Sequence, residues 1–184
     1  MSAWKYRPFT DTWLLARPKL KGGETYYGAY PAGFLGRARR LLGCRLDEPM
    51  LHVCGGKARL YPFWGFGPND RTLDLDGDLA PDFCQDARKP WPCLFTAMLW
   101  RTILCDPPYS EEEAAKYKVG AIVYPTPEEL LDLAVDALVS GGKIGILHYM
   151  LPRFPKKHFE QIAIVNVYVG NGNRTRAFSV FERK

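Results

Sequence analysis

Several things are missing from this chain, and each absence removes a class of protein. The five cysteines, Cys44, Cys54, Cys84, Cys93 and Cys105, are odd in number and contain no C-x-x-C pair. That argues against a disulfide framework and a zinc site, and reads as buried small hydrophobes in a reducing compartment, with no metal expected. No apolar run approaches the length of a membrane span. The opening "MSAWKYRPFTDTW" lacks the apolar centre of a signal peptide, so a cytoplasmic protein without membrane attachment is expected. There is no internal repeat, low-complexity tract, linker or G-x-G-x-x-G run, which disfavours a dinucleotide fold and points to one domain over 1–184.

What is present is an uneven charge. The net charge is +5, yet residues 1–45 hold nine Lys/Arg against two acids, 46–142 hold eight against sixteen, and 143–184 hold eight against two. Basic ends flanking an acidic middle point to a polyanionic partner, with a solvated surface as the alternative. Residues 1–45 read as a basic, aromatic-rich arm and helix packed on a core of 46–184.

The periodicity predicts a helix over Tyr30–Cys44, with Leu35, Ala38, Leu41 and Leu42 on one face and Gly43 as its stop. Short strands are predicted at Pro49–Cys54, Arg71–Asp76 and Asp82–Ala87, and a longer one ends the apolar run Leu94–Cys105. Thr126–Gly142 is the clearest helix. It has Thr126 as N-cap, Pro127 at the first position, Glu129 completing a capping box and Gly141-Gly142 as its end. A strand "KIGILHYM" and a hairpin turning at "NGN" close the chain. The predicted fold is α/β: a Rossmann-like, mostly parallel sheet with an antiparallel C-terminal strand and helices on both faces.

Open sheets of this kind bind ligands beyond the C-terminal ends of their strands. Four strand ends carry glycines or an acid. Gly55-Gly56, after Cys54, permits close approach of backbone to ligand, or simply ends a strand. Asp74 is placed to accept two ribose hydroxyls, or belongs to a solvated acidic turn. Asp86, followed by Ala87, is placed to accept from an adenine amino group, or caps the next segment. "DPPY" gives the sharpest end. Pro107 and Pro108 fix the backbone, so Asp106 and nearby carbonyls form a rigid set of acceptors for an amino group, and Tyr109 adds a flat face for a planar ring. The alternative for that stretch is an Asx-Pro turn. His52 and His148, within apolar strands, read as buried, satisfied side chains.

With these residues in this order, the chain resembles the class I S-adenosylmethionine-dependent methyltransferases, specifically the amino-methyltransferases with an (Asp/Asn)-Pro-Pro-(Tyr/Phe) motif. The resemblance covers about residues 45–184: "HVCGG", "LDLD", "QDARKP", "DPPY", then a helix–Gly-Gly–strand unit and a reversed last strand. It implies S-adenosylmethionine as cofactor. Cys54, Gly55 and Gly56 would lie against its methionine part, Asp74 at the ribose, Asp86 and Ala87 at the adenine, and Asp106 beside the reacting centre. It implies that Asp106, Pro107, Pro108 and Tyr109 are catalytic, with Asp106 and the Pro107 carbonyl accepting from the target amine and Tyr109 stacking on its ring. The implied reaction methylates an exocyclic amine of a nucleic-acid base, adenine N6 or cytosine N4 of DNA first. RNA or protein amines, or a non-catalytic nucleic-acid-binding module, are the alternatives.

Two departures accompany the resemblance. Gly56–Arg71 is too short and irregular for a standard first helix, and no insert is large enough for a target-recognition domain. A homodimer or partner subunit supplying recognition is therefore an expected arrangement. Arg153, Lys156 and Lys157, in the loop after "KIGILHYM", and Arg174 and Arg176, at the terminal hairpin, are expected at the active-site edge as phosphate contacts, supplemented by Arg37, Arg39 and Arg40.

Overall fold

A computed structural model describes residues 8–19, 23, 29–93, 99–117, 124–170 and 175–184. Eight strands form one sheet: β1 (Phe9–Leu15), β2 (Leu51–Val53), β3 (Arg71–Asp74), β4 (Phe83–Cys84), β5 (Trp100–Cys105), β6 (Leu138–His148), β7 (Phe159–Val169) and β8 (Thr175–Arg183). Their order is β1-β7-β8-β6-β5-β2-β3-β4. Only β8 runs against its neighbours, β6 and β7; every other pairing is parallel. The predicted sheet, with its reversed last strand, is therefore present.

Alternation along each strand assigns residues to the two faces. Leu104, Leu147, Phe178 and Val180 pack on one side with helix α1 (Phe34–Leu42). Leu51, Val53, Ile103, Ile144, Ile146 and Phe181 pack on the other with helix α3 (Pro127–Ala137). Among the described residues, each face thus carries one substantial helix. Between β2, β3 and β4 there are only 3-10 turns, at Ala58–Leu60 and Gly77–Leu79. The expectation that Gly56–Arg71 is too short for a full helix matches this. Helix α1 ends where predicted, with Gly43 in the left-handed region at φ 68°.

Several expectations are corrected. The N-terminal arm is not irregular throughout, because β1 pairs in parallel with β7 from Phe9↔Ala163 to Leu15↔Val169 and buries Trp13 and Leu15. Helix α3 has the predicted Thr126–Glu129 capping box but stops at Ala137 rather than at the glycine pair. Leu138 is already extended and pairs with Trp100, and the chain then makes an excursion through Gly141, at φ 74°, before Lys143 resumes pairing with Thr102. Apolar Leu138 thus joins the sheet, and the glycines serve a bulge. Cys84 and Cys93 are exposed, against the expectation of burial, while Cys44 and Cys105 are buried; all five thiols are unpaired. The start of Leu94–Cys105 and the "NGN" turn lie outside the described residues. No helix among the described residues is long and apolar enough to cross a membrane.

Candidate active site

The chain runs outward from β2 through β3 to β4, then returns to place β5 on the other side of β2. That reversal opens a crevice at the C-terminal edge between β2 and β5. Register decides what lines it. Val53 pairs with both Leu73 and Cys105, so the next residues, Cys54, Asp74 and Asp106, stand level across three adjacent strands. The Asp106 N–H donates to the Val53 carbonyl at 3.2 Å, the last rung before the prolines.

The glycine end is tied to β3. Cys54, at φ 55°, donates its N–H to the Leu73 carbonyl at 2.8 Å. A Cβ on Gly55 would stand 3.0 Å from His52 Cβ and 3.1 Å from the His52 carbonyl oxygen, so the buried backbone there tolerates little more than glycine. Asp74 accepts from the Gly56 N–H with Oδ2 at 2.9 Å and from the Asp76 N–H with Oδ1 at 3.1 Å. Burial raises its pKa, opposed by these backbone donors. Burial likewise pushes the Cys54 thiol well up, reinforced by the negative charges of Asp74, Asp106 and Asp86. Asp86 is half-buried and gripped by Arg88, Nη2 to Oδ2 at 2.6 Å and Nε to Oδ1 at 3.0 Å, which holds its carboxyl below the usual range. Ala87 is buried, and its carbonyl accepts from Trp91 Nε1 at 2.8 Å.

At the other side of the crevice, burial pushes the Asp106 carboxyl up to about 6, against the opposing influences of the Arg176 charge and the Tyr109 hydrogen bond. The Tyr109 hydroxyl donates to Asp106 Oδ1 at 2.5 Å. The Tyr109 ring is already attended: the Arg176 guanidinium lies 5.1 Å from its centroid, the Tyr149 ring 4.4 Å and the His148 ring 5.2 Å, edge-on. Pro107 is buried and Pro108 half-buried.

Sequence reasoning missed three members of this cluster. Glu113 is buried behind the motif and accepts from the Tyr149 hydroxyl at 3.3 Å and the Tyr109 N–H at 3.4 Å. Its signal was present in "SEEE": Ser110 caps the short helix α2 (Glu111–Ala114) by accepting from the Glu113 N–H at 3.2 Å. His148 was read as satisfied, yet only its Nδ1 is engaged, accepting from the Met150 N–H at 3.1 Å; the buried Nε2 has no partner among the described residues. That places the ring proton on Nε2. His52 is buried and bonded on both nitrogens, as expected, to Asp70 Oδ2 at 3.2 Å and the Tyr30 hydroxyl at 3.4 Å.

The expected cations divide. Arg176 is at the site, and Arg174 lies outside the described residues. Arg153 begins at the active edge, its N–H donating to Glu128 Oε1 in the first turn of α3 at 2.9 Å. Lys156 and Lys157 are at the opposite edge: the Lys156 carbonyl accepts from Lys184 Nζ at 2.6 Å, and Phe159 pairs with Arg183. A connection between two parallel strands must cross the whole sheet, so only its first residues stay near the crevice. Arg39 is also corrected. It is fully buried, paired with Asp70, and donates through Nε to the Gly65 carbonyl at 2.8 Å and through Nη1 to the Arg45 carbonyl at 2.6 Å.

Comparison with protein-family models and with curated proteins returned no match. Comparison with solved structures did. The chain is similar to TrmN from Thermus thermophilus, with a TM-score of 0.58 and 18% identity over 84% of this chain and 49% of that one, so it spans about half of that protein's length. It is also similar to the glycopeptide N-methyltransferase MtfA, with a TM-score of 0.51 and 14% identity over 83% of this chain and 95% of that one. The likeness is one of fold: the chain has the Rossmann-like sheet of the class I methyltransferases, with its reversed last strand.

Proposed function

We propose that the protein is an S-adenosylmethionine-dependent N-methyltransferase acting on an exocyclic amine of a nucleic-acid base, with adenine N6 or cytosine N4 of DNA as the first target to test. The carrying observation is the register that sets Cys54, Asp74 and Asp106 level at the crevice between β2 and β5. On this reading, the whole chain is one methyltransferase domain, residues 1–45 packing on 46–184.

The donor set fits the cofactor. Asp74 uses one hydrogen bond on each oxygen, leaving a further acceptor site on each for a ribose diol. Cys54, Gly55 and Gly56 would take the methionine part and Ala87 would flank the adenine, with Asp86 beside it once it parts from Arg88. Asp74 and Asp106, on the strands either side of Cys54, make a negative surround that suits a cation. When bound, S-adenosylmethionine supplies a sulfonium methyl group as the electrophile.

The chain's own residues supply orientation. Tyr109 occupies Asp106 Oδ1, leaving Oδ2 to accept one amine hydrogen while the Pro107 carbonyl accepts another. The two acceptors favour a tetrahedral nitrogen whose lone pair is free. A carboxyl titrating near 6 is ionised at neutral pH and so available as that acceptor. Arg176, beside Tyr109, would meet a phosphate or the target ring.

Calorimetric titration with S-adenosylmethionine, followed by tritiated methyl transfer to DNA, RNA and protein pools, tests the reading. Transfer to a nucleic acid that falls by at least about a hundredfold in Asp106→Ala is expected. Full activity in that variant would remove the catalytic assignment. A second reading, a non-catalytic binding module, is favoured by the Asp86–Arg88 and Tyr109–Asp106 contacts, which already engage two expected ligand groups. No cofactor binding together with retained nucleic-acid binding would select it.

A further inference from the structure

The loop from Cys54 to Asp70 is short, yet it carries the largest exposed aromatic on the molecule's described surface. Trp64 is 52% exposed, with Phe63 at 42% and Leu60 at 44% beside it in sequence. Trp64 is not loose. A Cβ on Gly36 would come within 2.3 Å of Trp64 Cε3, so the indole rests directly on the one α1 position without a side chain. Gly36 and Arg40 share a face of that helix, and the Arg40 guanidinium lies 5.6 Å from the Trp64 centroid.

The charge here is one-sided. Between residues 30 and 69 the only acids are Asp47, paired with the Arg45 guanidinium, and Glu48, which accepts from the Arg45 backbone N–H. Arg39 is used by Asp70 and Arg59 by Asp82. Arg37 and Arg40 are exposed and have no carboxylate partner among the described residues. An apolar protein partner would call for fewer charges, and a duplex offers no free base faces. Each of the two arginines lies over a ring, Arg37 at 5.9 Å from the Trp13 centroid and Arg40 over Trp64, and flat rings beside arginines that no carboxylate neutralises suit a polyanion that carries exposed rings. A run of rings leads from the patch to the strand that ends at Cys54. The Phe63 ring meets Tyr61 at 5.2 Å, Tyr61 meets Tyr30 at 6.4 Å, and the Tyr30 hydroxyl lies 3.4 Å from His52 Nδ1 on β2.

We propose that Trp64, Phe63, Arg37 and Arg40 form a docking face for single-stranded nucleic acid, bases stacking on the rings and phosphates meeting the arginines, so that this face supplies the grip on the target strand. The inference deepens the proposed function and rests on its nucleic-acid substrate, but the binding is measurable without methyl transfer.

The test is fluorescence anisotropy with a fluorescein-labelled oligonucleotide of about 20 bases, as single-stranded DNA, single-stranded RNA and duplex, over a salt series. Wild-type protein should bind single strands more tightly than duplex. Arg37→Gln/Arg40→Gln should weaken single-strand binding about tenfold and lower the slope of log K against log salt by about 1.4. Trp64→Ala should also weaken it about tenfold, with Trp64→Phe restoring most of the loss. Calorimetric affinity for S-adenosylhomocysteine should be unchanged in all three, which separates failure of this face from failure of the methyltransferase reading. Should Trp64→Ala fail to fold, the arginine pair decides. Unchanged binding in the variants, equal affinity for duplex, or no single-strand binding by wild type would overturn the proposal. So would concentration-dependent self-association that Trp64→Phe/Phe63→Ala abolishes without any effect on oligonucleotide.

Discussion

Asp106 is held between opposing influences: burial lifts its pKa to about 6, while the Arg176 charge and the Tyr109 hydroxyl pull it down. If the ionised form accepts from the amine, kcat/KM should fall on the acid side with a midpoint near that value. Arg176→Met removes the stronger of the two opposing influences. The acid limb should then move to higher pH, and Tyr109→Phe should move it the same way by less. A pH–rate profile of the three proteins checks this; a limb that stays in place would detach Asp106 from it. The same shift has a stability consequence of definite sign. A carboxyl whose folded pKa is raised binds its proton more tightly in the folded state, so its contribution is intact below about 4 and is lost as pH rises through 6. Asp106→Asn should therefore be more stable than wild type at pH 7.5, by about 3 kcal/mol at most, and should converge with it near pH 4. Urea denaturation at both pH values measures it.

Residue identity alone put Asp106, Asp74 and the glycines at strand ends, and the structure has them there. It misled for Arg39. Arg37, Arg39 and Arg40 look alike as a basic run, but Arg39 follows Leu35 by four positions and sits among Leu35, Ala38 and Leu42 on the buried face. Its partner Asp70 lies 31 positions away, and nothing local announces a buried pair of that separation.

At the scale of elements, α3 was the most readable because its start is written in local chemistry. The Glu129 N–H donates to Thr126 Oγ1 at 3.2 Å, and the Glu129 carboxylate accepts from the Thr126 N–H at 2.8 Å. Thr126→Ala should lower stability by about 1 kcal/mol, seen as a lower urea midpoint with unchanged slope; an unchanged midpoint would mean that the cap is redundant. The end of α3 was misread because two glycines resemble a helix stop, whereas tertiary pairing of Leu138 with Trp100 takes precedence. Strand β1 was missed for a related reason. Its burial alternates only at Trp13 and Leu15, the remainder facing water at the sheet's edge, so "FTDTWLL" shows little strand periodicity.

At the scale of the whole molecule, a mostly parallel sheet with a reversed last strand was readable from strands alternating with connecting segments and a closing hairpin, but the placement of surface charge was not. Lys156 and Lys157 were assigned to the site by sequence distance from β6, and the crossover carries them to the opposite edge. The edge itself yields a prediction. β1 covers β7 with seven paired residues and inserts Trp13 and Leu15 into the core around Phe34 and Phe178. Removing residues 1–16 should expose β7 as an open edge and produce aggregation on light scattering together with a lower thermal midpoint. A monodisperse truncation of unchanged midpoint would show β1 to be dispensable.

The same pairing orders events in time. Phe9 finds Ala163 roughly 150 residues later in the chain, and β7 is itself held by a still later strand, β8. As the polypeptide leaves the ribosome, β1 has no partner until β7 and β8 emerge. Until then the indole of Trp13 and the unpaired backbone beside it are open to other chains. The sheet is therefore closed only when two segments far apart in sequence meet, and slow translation or a pause between β1 and β8 would lengthen the interval in which β1 needs protection.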